Sequence, residues 1–187
     1  MANPTIEIRG DDTTSGASAA KLEMKLEVEG ARMPTFHLHQ TTTLTPEQYV
    51  AGLTDFGPGR SKLFGNSADE YLKVHHRGPT EADVTEGSSG IWERLHYDWS
   101  DPDRVVLTTT DSNTWGGASG HTYTFTRRPD GLTDIDVVVV REGKNLKGWL
   151  VGLVVGTIGQ GVLEKAFVNS VKAIEARNGA VGKKNVA

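Results

Sequence analysis

Between residues 36 and 142 apolar side chains recur mostly at every second position, and after Gly143 they recur at helical spacing. A period of two marks strands with one buried face, and a period near 3.6 marks a helix. Residues 36–43 alternate as a strand. Thr45-Pro46-Glu47-Gln48 then supplies an N-cap, a proline at the first helical position and a capping-box glutamine, so a short helix starts at Pro46. It should end near Asp55, where Phe56-Gly57-Pro58-Gly59 breaks it, and a second short turn is expected over residues 61–64. Six further strands follow, over residues 71–77, 81–86, 91–99, 105–111, 121–128 and 132–142. Their breaks are Gly78-Pro79, Gly87-Ser88-Ser89-Gly90, Ser100-Asp101-Pro102, Trp115-Gly116-Gly117 and Arg128-Pro129-Asp130-Gly131, short enough for hairpins. The strands therefore form an antiparallel meander, and the helical pattern runs on to about Asn178-Gly179.

Three segments are expected: an N-terminal extension over residues 1–32, weakly ordered, a folded domain over 33–178, and a flexible tail over 179–187. A Gly/Ser/Thr/Asp cluster over residues 10–16 interrupts the extension, and the alternation in residues 21–29 fits a half-exposed strand, although its Leu, Met, Glu and Lys favour helix.

One strand, two short helices, six strands and a long helix make an α+β order in which the last helix must lie across the sheet. Three strings add detail: Trp92-Glu93-Arg94-Leu95-His96-Tyr97-Asp98-Trp99, then residues 109–117 with Asn113 and Trp115, then the glycine-punctuated residues 148–163. With that element order they resemble the SRPBCC superfamily over residues 33–178, and within it uncharacterised actinobacterial members of polyketide cyclase/dehydrase-like type. The resemblance implies a START-like helix-grip fold, a seven-stranded curved antiparallel sheet wrapped on the C-terminal helix, with a hydrophobic cavity between them. A fold group does not fix an activity.

Strand phase nominates the residues facing that cavity. Ile91, Glu93, Leu95, Tyr97 and Trp99 form the inward set of their strand, because the other phase is mostly polar. His121, Tyr123 and Phe125 point inward from the next-to-last strand, and Ile135, Val137, Val139 and Arg141 from the last. On residues 71–77 the inward set is either Leu72, Val74 and His76 or Tyr71, Lys73 and His75. Glu93, His121 and Arg141 are ionisable groups on a buried face, which must pair or change protonation state. A structural ion pair and a catalytic role are both open to them.

In the C-terminal helix, Trp149, Leu153, Gly156, Gln160, Leu163, Phe167, Val171 and Ile174 fall along one face, with Gly152 and Gly159 beside it. Glycine costs about 1 kcal/mol against alanine inside a helix, so its repetition needs a spatial reason. Room for a ligand and close backbone packing on the sheet both supply one. The opposite side carries Val151, Val155, Ile158 and Val162, so residues 150–163 are apolar nearly all round. Burial beneath a loop, a homodimer contact or peripheral contact with a bilayer each accounts for that. The expected ligand contacts are Leu95, Trp99, Trp115, Tyr123, Phe125, Val137, Arg141, Trp149, Gly152, Leu153 and Gly156. Asn113 and Trp115 fit either a structured turn or the pocket rim.

Composition narrows the function. The 187 residues carry 24 acidic and 20 basic side chains, a formal net charge of -4, which lacks the basic footprint of nucleic-acid binding. The absence of cysteine removes disulfides, thiolate nucleophiles and Cys-based metal sites. His37 and His39 share one strand face and His75-His76 splits across two, but no third ligand has metal-site spacing, so no metal and no cofactor is expected. Residues 148–163 fall short of the ~18–20 a spanning helix needs, and the polar first ten residues lack a signal pattern, which together read as a cytoplasmic protein. No G-x-S-x-G elbow, phosphate loop, dinucleotide fingerprint or H-E-x-x-H motif occurs. The reading favoured is binding of a hydrophobic small molecule such as a lipid or polyketide, with transport of that molecule as its extension. An aromatase/cyclase-type enzyme using Glu93, His121 or Tyr97 for proton transfer is the alternative, and a dimerising interaction module is the third.

Overall fold

A computed structural model of the chain describes residues 34–184, without the side chains of 146–147, 149–150, 152–158 and 181–184. The extension expected over residues 1–32 lies outside the described residues. The elements are β1 (Thr35–Thr42), α1 (Pro46–Leu53), a 3-10 turn (Arg60–Lys62), β2 (Lys73–Arg77), β3 (Glu81–Ser88), β4 (Ile91–Asp101), β5 (Arg104–Ser112), β6 (Trp115–Arg127), β7 (Thr133–Gly143) and α2 (Leu146–Lys184). All seven strands join one antiparallel sheet in the order β1-β7-β6-β5-β4-β3-β2. Sequential hairpins build six of its strands, and β1 closes against β7 through the register Phe36 to Val139 and Leu38 to Val137.

The capping box at α1 forms as the sequence dictates. Gln48 N donates to Thr45 Oγ1 at 3.3 Å, and Thr45 N donates to Gln48 Oε1 at 2.9 Å. The helix stops at Thr54, whose amide donates back to the Val50 carbonyl at 2.8 Å. At the β3–β4 turn Ser89 and Gly90 both have positive φ, 52° and 81°, the conformation of a two-residue type I′ hairpin.

One face of the sheet carries the core. Val84, Leu95, Tyr97, Val105, Leu107, Tyr123, Phe125, Ile135, Val137 and Val139 are buried there, in the inward phases expected of β4, β6 and β7. Phe167, Val171 and Ile174 of α2 pack into the same core, together with Tyr49 and Leu53 of α1. Gly52 lets the two helices approach, since a side chain there would meet Ile174 at 2.9 Å. Glu175 fastens α2 to the end of β1 by accepting from the Thr42 hydroxyl at 2.6 Å and the Thr43 amide at 3.2 Å.

Four expectations are corrected. Neither phase of β2 is buried, because β2 is the sheet's edge; Val74 is 42% exposed, and of the expected inward residues Leu72, just before β2, packs half-buried against the core. Trp115-Gly116-Gly117 does not separate strands but belongs to β6, where the register shifts between Gly116 and Gly120. Gln160 is exposed, with its amide donating to the His37 carbonyl at 3.0 Å. The helix passes Asn178-Gly179 and continues to Lys184, because a glycine costs a helix only about 1 kcal/mol and alanines flank this one at 176 and 180. Among the described residues no helix is long and apolar enough to cross a membrane.

Candidate functional site

A cavity of about 330 Å³ opens on the inner face of the sheet, at the end formed by the β3–β4 hairpin and the start of β6. Leu95, Leu107, Trp115, Tyr123, Val151 and Leu163 supply apolar walls. Asn66, Ser88 and Ser89 are also in its lining, and Arg60, Glu86, Glu93, Tyr97, His121 and Arg141 form its polar wall. The volume falls at the lower end of the ~300–1,000 Å³ range of small-molecule sites.

Two hydrogen-bonded clusters organise the polar wall. In the first, Arg141 Nη1 donates to Glu93 Oε2 at 2.9 Å and Nη2 to Glu93 Oε1 at 3.1 Å, a bidentate pair. Arg141 Nη2 also donates to His121 Nε2 at 2.6 Å, and the Thr109 hydroxyl donates to Glu93 Oε2 at 3.1 Å. The Arg141 guanidinium lies 5.3 Å from the centre of the Trp115 ring. Since arginine stays protonated, His121 accepts through Nε2 as a neutral imidazole with its proton on Nδ1. Burial and the Arg141 charge drive its pKa down to about 3, against a smaller opposing pull from Glu93. Burial raises the Glu93 pKa, but the Arg141 charge and the hydrogen bonds from Arg141 and Thr109 outweigh it and hold the carboxyl below its ordinary value.

In the second cluster, Arg60 Nε donates to Glu86 Oε1, Nη1 donates to the carbonyls of Leu53 at 2.8 Å and Asp55 at 3.0 Å, and Nη2 donates to the Tyr97 hydroxyl at 3.1 Å. Tyr97 in turn donates to Glu86 Oε2 at 2.7 Å, and Ser67 donates to Glu86 Oε1 at 3.2 Å. The guanidinium sits between the Phe56 and Phe64 rings, 4.9 and 4.7 Å from their centres. Burial, then the Glu86 charge, lifts the Tyr97 phenol well above its usual value, so it is a donor and not a phenolate.

The structure thus gathers Glu93, Leu95, Tyr97, Trp115, His121, Tyr123 and Arg141 around one cavity. Trp99, Phe125 and Val137 are not among the residues that line it: Phe125 and Val137 are buried in the core and Trp99 packs on its edge. The side chains of Trp149 and Leu153, and the surroundings of Gly152 and Gly156, lie outside what the structure describes. Asn113 braces the hairpin, accepting from the Trp92 amide at 3.1 Å and donating to the Gly90 carbonyl at 2.8 Å, while Trp115 lines the wall. His37 and His39 are exposed, His39 bonding Asp136 at 2.8 Å, and no group of three metal-ligating side chains occurs among the described residues. Sequence reasoning missed Arg60 and Glu86. Glu86 stands two and four residues from buried Val84 and Ala82, on their inward phase, which is the signal that could have found it.

No protein-family model and no curated protein matches the chain. Solved structures match its fold. TTHA0849 from Thermus thermophilus superposes with a TM-score of 0.59 at 14% identity, covering 77% of this chain and 99% of that one. An aromatase/cyclase, Zhui, from a Streptomyces species gives 0.58 at 12% identity over 78% and 93% of the two chains. A START superfamily protein from Mycobacterium smegmatis gives 0.54 at 11% identity over 76% and 95%. With its seven antiparallel strands and long C-terminal helix, the chain has the START-like, helix-grip fold.

Proposed function

We propose that the chain binds an apolar small molecule in the cavity between sheet and C-terminal helix. The observation that carries this reading is a 330 Å³ space with predominantly apolar walls whose buried ionisable groups are already paired with one another. Such a wall holds a ligand without reorganising, which is what preorganised binding requires. The fold shared with a START superfamily protein and with an aromatase/cyclase supports a container.

The cyclase reading has less support. A general base needs a free lone pair near its substrate. The His121 Nε2 lone pair is taken by Arg141, Glu93 is paired with Arg141 through both oxygens and held below its ordinary pKa, which weakens it as a base, and Tyr97 is held between Arg60 and Glu86. Native mass spectrometry of the purified protein, followed by organic extraction, tests the binding reading directly. A discrete added mass that extracts as an apolar compound is expected. A clean unliganded mass, together with no binding of any apolar fluorescent probe, would remove it.

A further inference from the structure

Four charges stand on the cavity wall: Arg60, Glu86, Glu93 and Arg141 are the charged groups among its described lining residues. Glu86 and Glu93 are direct partners across β3 and β4, where two like charges repel. Each is compensated by its own arginine, Glu86 by Arg60 and Glu93 by Arg141. The wall therefore carries two positive and two negative charges, the glutamates side by side with an arginine on each, and sums to zero, with neutral His121 adding nothing.

The two arginines differ in the hydrogen-bonding capacity they have left. Arg60 uses four of its five N–H groups on Glu86, Tyr97 and the carbonyls of Leu53 and Asp55. Arg141 uses three of its five N–H groups on Glu93 and His121; its Nε–H and one Nη1–H have no acceptor among the described residues. Glu93 Oε2 and Glu86 Oε1 each accept two internal hydrogen bonds, and Glu93 Oε1 and Glu86 Oε2 accept one each. Among the charged groups of the wall, Arg141 offers a ligand a donor on a guanidinium whose charge is already balanced.

We infer that the cavity selects its ligand by charge, taking an apolar molecule with an uncharged acceptor oxygen bonded by Arg141 and rejecting the carboxylate of the same shape. The inference rests on the ligand-binding reading above and adds the ligand's chemical class. A neutral acceptor gains a charge-assisted hydrogen bond at little desolvation cost. A carboxylate must shed its water to enter, finds no net counter-charge, and lies beside two glutamates.

Three isosteric probes test this at pH 7 by calorimetry or naphthalene fluorescence: naphthalene-2-carboxamide, naphthalene-2-carboxylate and naphthalene-2-carboxamidine. The neutral amide should bind the wild-type protein at least about tenfold more tightly than either ion. Glu93→Gln removes one negative charge, leaves Arg141 uncompensated and should move the amide-to-carboxylate ratio at least about tenfold towards the carboxylate. Glu93→Gln combined with Arg141→Met removes the excess charge and should return the preference to the amide. A carboxylate that binds the wild type as tightly as the amide overturns the inference, as does an amidinium that binds more tightly. So does a ratio unmoved in a Glu93→Gln protein that still melts cooperatively. If Glu93→Gln does not fold, the wild-type ranking of the three probes decides. Failure of all three to bind the wild type would instead remove the ligand-binding reading itself.

Discussion

Arg60 and Arg141 are chemically identical groups that the surrounding structure uses differently. Arg60 is 2% exposed and ties the end of α1 to β3, so truncation strands Glu86, Tyr97 and two carbonyls at once. Breaking a buried pair from one side costs about 3–5 kcal/mol. Arg60→Ala should therefore lower the urea midpoint steeply, and if it fails to express folded, Arg60→Lys should show a smaller loss of the same sign. Protonation gives a second residue-scale expectation. His121 is held neutral down to about pH 3, while an unfolded histidine takes a proton near 6.5. Glu93 is likewise shifted down, with burial opposing and Arg141 prevailing. In both cases the unfolded chain binds more protons, so stability is present above the unfolded pKa and is lost on acidification. Melting temperature should fall from about pH 6.5 downward, and His121→Phe should flatten the part of that fall contributed above the carboxylate range. An unchanged pH profile in His121→Phe would contradict the assigned neutral state. Strand phase made Glu93, His121 and Arg141 legible as a group, because period two fixes which side chains share a face. Arg60 was not legible, since its loop has no period to read.

Local signals settled the short elements and misjudged the irregular ones. The capping box at Thr45 is readable because its chemistry is complete within four residues, and Thr45→Ala should cost about 1 kcal/mol, measurable as a shift in denaturant midpoint without change of slope. The start of β6 was read as a break because Gly116-Gly117 looks like a turn in isolation. In the sheet it is a bulge held from another strand: Gly117 has φ of 53°, and Glu142 of β7 accepts from the Ala118 amide at 2.9 Å. A residue with a side chain at 117 would be strained in backbone and would meet the Glu142 carboxylate at 1.9 Å. Gly117→Ala should therefore destabilise by about 1–3 kcal/mol and, because Trp115 begins the same strand, weaken binding of an apolar probe as well. Destabilisation with full probe affinity would show that the bulge does not position Trp115. The β2 strand was over-read for the complementary reason. Alternating residues mark a half-buried strand only where something covers one face, and nothing in residues 71–77 reveals that this strand ends the sheet.

At the scale of the molecule, the meander and long helix were legible because short breaks leave few ways to connect seven strands, and a helix with one apolar face has only the sheet to cover. The resemblance placed a cavity between sheet and helix and strand phase named several of its lining residues, but its size and outline were not legible, since a void is set by how side chains from β3, β4, β6 and α2 fail to meet, and periodicity carries no information about that gap. Leu163 gives a way to test whether the gap serves a ligand. It is half-buried at the cavity wall, with the neighbouring Val162 64% exposed, so a larger side chain at 163 has room to enter the void. Filling an empty cavity restores contacts that its lining lacks. In Leu163→Trp the melting temperature without ligand should therefore hold or rise. A bound ligand stabilises by RT ln(1 + [L]/Kd), so saturating naphthalene-2-carboxamide at a hundred times Kd should add about 2.7 kcal/mol to the wild type and nearly nothing to the filled variant. Equal ligand-induced shifts in both proteins would place the binding site elsewhere, whereas a shift confined to the wild type means that the space between sheet and helix is kept open for an occupant at the expense of stability in its absence.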